Sequence, residues 1–245
     1  MYSSKVLLSL ILLLYILFAV FEFSGKSVIA EMLYLLMVPV ITVMYALCIK
    51  KKNTLFFLFL LFYSGSNLMD GGIQMMSPEK GSMLDDFDYF VGNLLYIIAY
   101  LFLMRKICST LCALHVLKNF KINLVVLTIL NIYLVYVLQA IVVPFLKMNN
   151  DYYLELIYNV VLLLLLSVAL LNYFYRDNKK SLYLFIGVLC IVFSEVIQIA
   201  YFYISERSFL SFIFVTLNLT AFHFLYQQTK LLNKTNDKEN YAAVE

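Results

Sequence analysis

The sequence has no tryptophan, and only 13% of its 245 residues are charged. A soluble domain carries about 25% charged residues. That deficit excludes a soluble globular enzyme, and a hydrophobic content of 64% excludes a disordered chain. The 18 basic residues give a net charge of only +3 and are scattered between apolar runs. A nucleic-acid surface would need them clustered. Four cysteines, Cys48, Cys108, Cys112 and Cys190, are split between apolar runs and a basic segment, which is no secreted disulfide framework. HExxH, GxSxG, Walker and Rossmann patterns are absent. Zinc protease, serine hydrolase and nucleotide-driven transport therefore have no support, and neither a metal nor a cofactor is implied. Without tryptophan, the 20 tyrosines must supply the interfacial aromatic belt.

What the chain does have is eight long apolar runs: 6–23, 28–49, 54–70, 87–104, 122–146, 154–175, 181–203 and 208–232. A helix crossing the hydrocarbon core needs about 20 such residues. Open sheet edges cannot face lipid, and these runs lack the alternation of barrel strands. The expected fold is all-α, a polytopic membrane helix bundle forming one domain over 1–232, with a polar, disordered tail at 233–245. The first run follows Lys5 as in a signal peptide. It ends in Phe21-Glu22-Phe23-Ser24-Gly25 with no small-x-small cleavage site, so it reads as an uncleaved first helix.

With the N-terminus in the cytoplasm, fourteen of the 18 basic residues fall inside and four outside. The positive-inside rule then favours eight spans with both termini cytoplasmic. The preference for Lys over Arg, and the many Asn, Ile, Tyr and Phe, point to an AT-rich bacterial genome and hence to a bacterial inner membrane. The acids lie mostly at the outer ends. The outer loop 71–86, with Gly71-Gly72 and Pro78, reads as flexible. The inner connection 105–121 has room for a short interfacial helix. Pro39 and Pro144 predict kinks in spans two and five.

Glu195 is the one carboxylate well inside a span. An ionised acid at that depth costs about 2.5–3.5 kcal/mol on insertion scales, so it must face the bundle, be neutral or have partners. Gln198 shares its helical face, and the adjacent Ser194 and Gly187 permit close helix contact. Asn67, Asn93, Gln139 and Asn159 fall in the same outer half as Glu195, with Tyr96 one turn from Asn93. Their shared depth predicts a polar cavity opening toward the outer leaflet. His223, nearer the cytoplasmic half of span eight, reads as a hydrogen-bonded packing residue. Cys108, Cys112 and His115 have helical spacing but make an incomplete zinc set. Asp85, Asp86 and Asp88 read as loop charge near the start of span four.

The placement of these residues resembles the YhhN-like family of bacterial membrane proteins, which includes lysoplasmalogenases. Val38-Pro39 sits where that family has Lys-Pro, and Ser66-Asn67 where it has Gly-Asp. Asn93-Leu94-Leu95-Tyr96 matches His-x-x-Tyr with Asn for His. Tyr158 matches a tyrosine in span six. Gly187, a short apolar run and then Ser194-Glu195 match the span-seven motif with Glu for Asp. His223 falls near a glutamine of span eight. The resemblance implies an eight-span ether-bond hydrolase that splits the vinyl ether of a lysoplasmalogen or related lysolipid. Glu195 would be the proton donor, with Asn67 and Asn93 at the catalytic positions. Tyr96, Ser194, Gln198, Gln139 and Tyr158 would line the substrate site. The departures, amides at 67 and 93 where the family has titrating groups, favour the alternative. That is a degenerate member that binds a lipid or serves as a non-enzymatic membrane partner. Membrane lipids are the expected partners on either reading.

Overall fold

A computed structural model describes residues 2–76, 82–111, 113–146 and 149–231. Within them the chain forms α1 (Tyr2–Phe23), α2 (Ser27–Cys48), α3 (Thr54–Met75), α4 (Met83–Cys108), α5 (Ala113–Asn119), α6 (Lys121–Val142), α7 (Asn149–Arg176), α8 (Lys179–Tyr203) and α9 (Ser208–Lys230). No strand occurs among these residues. Eight of the helices, all but the short α5, are long and apolar enough to cross a bilayer, as in a multi-pass membrane protein. They correspond one to one with the eight apolar runs.

Local chemistry explains the helix ends. The Asn53 side chain caps α3 by accepting from the Phe56 amide at 3.0 Å. Asn178 and Ser181 form a reciprocal capping box at the start of α8. Pro144 has no N–H to donate, so α6 stops at Val142 and Val143–Phe145 tightens into a 3-10 turn. Pro39 does not stop α2. Gly71-Gly72, expected in a loop, instead continues α3 to Met75. The glycine penalty in a helix is about 1 kcal/mol. Here the helix keeps its own hydrogen bonds and packs on α2, where the Leu35 side chain lies beside Gly71. The short α5 lies in the connection expected to hold an interfacial helix. The tail expected at 233–245 lies outside the described residues, as does the 77–81 part of the loop expected at 71–86.

The packing order is α1–α2–α3–α4–α7–α8–α9, and α9 returns to touch α1 and α2. Seven helices therefore close a ring. Its centre is aromatic and aliphatic, with Tyr45, Tyr63, Tyr100, Phe56, Phe59 and Phe222 fully buried. The α8 and α9 helices pack tightly. A β-carbon on Gly187 would fall 2.8 Å from Leu225 and 3.2 Å from the Ala221 carbonyl oxygen. The α6 helix stands outside the ring. It rests mainly on α7 and buries only Leu138, Gln139 and Val142.

Candidate functional site

The ring interior holds a connected set of polar side chains centred on Glu195. Its two carboxyl oxygens have different partners. Tyr100 of α4 donates to Oε1 at 2.7 Å, and Tyr158 of α7 donates to Oε2 at 2.7 Å. One side chain on α8 thus ties three helices together. Glu195 is 8% exposed. The Tyr100 and Tyr158 rings also meet edge to face, with centroids 5.9 Å apart.

Asn67, with 0% exposure, has an equally definite role. Pro39 cannot donate to the carbonyl four residues back, which is that of Leu35. The Asn67 amide Nδ2 reaches across from α3 and donates to the Leu35 oxygen at 3.4 Å. Its Oδ1 accepts from the Tyr96 hydroxyl at 2.6 Å. Asn67 therefore replaces the helical donor that proline removed, and it joins α2, α3 and α4. The bond helps α2 run on past Pro39 to Cys48.

Neighbouring bonds complete the frame. Asn218 of α9 donates to the Tyr63 hydroxyl at 2.7 Å. The Tyr63 ring packs edge-on against Tyr96 at 4.8 Å and Tyr100 at 6.2 Å. Ser66 donates to the Gly92 carbonyl at 3.0 Å. Thr42 and Ser64 share a 2.5 Å hydrogen bond between α2 and α3. At the outer wall, Tyr15 of α1 and Thr216 of α9 are 2.8 Å apart.

The structure divides the expected site residues. Glu195, Tyr158, Asn67 and Tyr96 belong to the interior set. Ser194 lies beside it but turns to α9, donating to the Phe214 carbonyl at 2.9 Å. Asn93 does not turn toward Glu195 in this arrangement. Its amide donates to the Tyr89 carbonyl of its own helix at 2.8 Å. Gln198 is half-buried, with no side-chain bond to Glu195. Gln139 lies apart, on α6 outside the ring, with Nε2 3.3 Å from the Tyr152 carbonyl. Asn159 is fully buried, and neither atom of its amide has a hydrogen-bond partner among the described residues.

Other expectations change as well. His223 is exposed on the outer surface of α9 and packs edge-on against Phe224, so it is no core packing residue. His115 hydrogen-bonds Asn119 and stacks edge-on with Tyr175. Cys112 lies outside the described residues. Sequence reasoning missed Tyr63, Tyr100 and Asn218. The first two carried a signal: Tyr63 lies four residues before Asn67, and Tyr100 four after Tyr96. Each pair shares a helical face.

A second feature lies between α6 and α7. A recess of about 620 Å³ opens there, lined largely by apolar side chains, with Gln139, Ala140 and Pro144 toward one end. Gln139 Oε1 is buried there without a hydrogen-bond partner among the described residues. Pro144 also deprives the Ala140 carbonyl of its helical donor. Asn131, near Thr128 toward the other end, is satisfied by Ser167 at 2.8 Å.

No family model matches this chain, and neither a curated protein nor a solved structure matches it.

Proposed function

We propose that this protein is a multi-pass membrane protein that binds a single-chain lipid in the α6–α7 recess without cleaving it. The observation that carries the reading is the recess itself. Its wall is mostly apolar, and at one end it has two hydrogen-bond acceptors short of donors, Gln139 Oε1 and the Ala140 carbonyl. An acyl chain fits the apolar part. A glycerol hydroxyl or an ammonium group, as on a lysolipid, supplies the donors. The volume lies within the roughly 300–1,000 Å³ of small-molecule sites. The positive-inside orientation, with both termini in the cytoplasm of a bacterial inner membrane, places the polar end at the outer leaflet.

The interior set suits support better than catalysis. Both oxygens of Glu195 already accept from tyrosines, and Asn67 already serves Pro39 and Tyr96. A fully satisfied buried network rigidifies a core.

The second reading is the lysoplasmalogenase-like one, and a specific observation favours it. Glu195, Tyr158, Asn67 and Tyr96, which match the family pattern in position, lie in one interior set. On that reading Glu195 protonates the vinyl carbon, and the double-bond electrons form the new C–H bond. Water captures the oxocarbenium ion and loses a proton to the carboxylate. The hemiacetal then collapses to an aldehyde and a glycerophospho-alcohol.

Purified protein in detergent, offered lysoplasmalogen and lysophosphatidylcholine, separates the two. The account expects both lipids to be retained and no aldehyde to form. Aldehyde release that disappears in folded Glu195→Gln protein would overturn it in favour of the hydrolase.

A further inference from the structure

The turn between α2 and α3 carries three consecutive exposed lysines, Lys50, Lys51 and Lys52. It is anchored on both sides by the buried Tyr45. The Ile49 amide donates to the Tyr45 carbonyl at 3.2 Å, and the Asn53 amide donates to the Tyr45 hydroxyl at 2.9 Å. The Tyr45 ring meets Phe56 edge-on at 5.1 Å, which ties the turn to the start of α3. The lysines lie between these two anchors, so the backbone that displays them is fixed while their ammonium groups stay at the surface. One helix ends and the next begins here, so their dipoles offset and the side chains set the local charge.

None of the three lysines has an ion pair among the described residues. Arg105, exposed near the end of α4, adds a fourth charge at this end of the bundle. The end of α4 lies beside the start of α3, where the Lys106 ammonium sits 4.4 Å from the centre of the Phe56 ring. The one acid among the described residues of this end is Asp177, in the turn from α7 to α8. The opposite end is mixed: Glu22 and Glu31 lie on either side of Lys26 in the chain, and Glu206 precedes Arg207. Deeper along α2 the surface turns apolar. Leu47, Val43 and Leu36 are all exposed and recur at the spacing of one helical face. At 1.5 Å per residue their stripe runs about 16 Å. That is roughly one leaflet of a 30 Å hydrocarbon core.

We infer that the α2–α3 turn is the docking site of an anionic phospholipid, its headgroup on Lys50, Lys51 and Lys52 and an acyl chain along Leu47, Val43 and Leu36. Charge complementarity selects the headgroup: clustered lysines at the end of a membrane helix attract anionic lipid. The apolar stripe selects a lipid over a soluble anion, which matches the lysines alone. The fixed turn makes this a defined site and more than a bias in loop composition. It lies on α2 and α3, apart from the α6–α7 recess, and does not depend on what the recess binds.

The test uses the full chain in nanodiscs of phosphatidylglycerol and phosphatidylcholine with identical acyl chains. The protein is released, and its retained lipids are counted by native mass spectrometry. The thermal unfolding midpoint in detergent is read as each lipid is added. The inference expects phosphatidylglycerol to be enriched over the input ratio and to raise the midpoint above the phosphatidylcholine control. Both effects should shrink as salt is raised. Stepwise Lys50→Gln, Lys51→Gln and Lys52→Gln should lower the preference about fivefold per step. The corresponding triple change to arginine should preserve it. Lys26→Gln/Arg207→Gln, which removes two charges at the opposite end, should leave it unchanged. Absence of any phosphatidylglycerol preference overturns the inference and leaves the lysines to an acidic soluble partner. Enrichment that survives in the folded triple glutamine variant overturns it too. So does an equal loss in Lys26→Gln/Arg207→Gln, which would assign the preference to net charge alone.

Discussion

The ring interior and the α6–α7 recess are both polar places in an apolar protein, and they are built in opposite ways. In the interior nearly every side-chain polar atom has been given a partner. Glu195 has a tyrosine on each oxygen, and Asn67 serves a carbonyl on one side and a hydroxyl on the other. In the recess, Gln139 keeps a buried oxygen without a partner, and proline strips the Ala140 carbonyl of its donor. Saturated polar groups hold helices together. Unsatisfied ones at the edge of an opening are where a ligand gains most. The same residue types, amides near prolines, thus serve structure in one region and, on the proposed reading, recognition in the other.

The comparison makes unequal demands on the two regions. The largest effect belongs to Glu195→Ala, which takes away the carboxylate oxygens to which the Tyr100 and Tyr158 hydroxyls donate. Each buried unsatisfied group costs about 1–3 kcal/mol, so denaturant unfolding in detergent should show a loss of about 2 kcal/mol or more. A loss below about 0.5 kcal/mol, within the ordinary range for surface substitutions, would mean that the carboxylate is not the tie described.

Asn67→Leu comes next, at about 1 kcal/mol. Its signature is a rescue. Pro39→Ala restores the helical donor to Leu35, so the double variant should recover part of the loss, with a coupling of at least about 0.5 kcal/mol. Strict additivity would show that Asn67 and Pro39 are unrelated.

Asn159→Leu probes the exception in the interior. Its amide has no partner among the described residues, so an apolar side chain of similar size should be neutral or stabilising. Marked destabilisation would reveal a partner that matters. Gln139→Leu should be the mildest for stability, within about 0.5 kcal/mol. It should still weaken lysolipid retention, and unchanged retention would remove Gln139 from the binding site.

Much of the fold was legible because the membrane simplifies the problem. Apolar runs of the right length become helices, and all eight do. Helix faces were harder to read. These helices are apolar nearly all round, so no stripe marks which side faces inward. That is why His223 proved exposed and Asn93 turned to its own backbone. Rotation about the helix axis was therefore not readable. The division of Gln139 from Glu195 was hidden for a related reason. The sequence assigns both to the same outer half, but only the helix packing order shows α6 standing outside the ring. Asn67 could have been paired with Pro39 only once α2 and α3 were known to be neighbours. The tyrosines at four-residue spacing from Asn67 and Tyr96 were the readable signal that went unused.

The most direct measurement compares lysolipid affinity in two variants of the whole protein in detergent. Ala140→Phe fills the recess, and Glu195→Gln alters the interior while keeping its shape. The account predicts that Ala140→Phe abolishes lysolipid binding and that folded Glu195→Gln protein binds as tightly as the parent. Loss of binding in Glu195→Gln, with Ala140→Phe unaffected, would place the ligand in the ring interior and contradict the account.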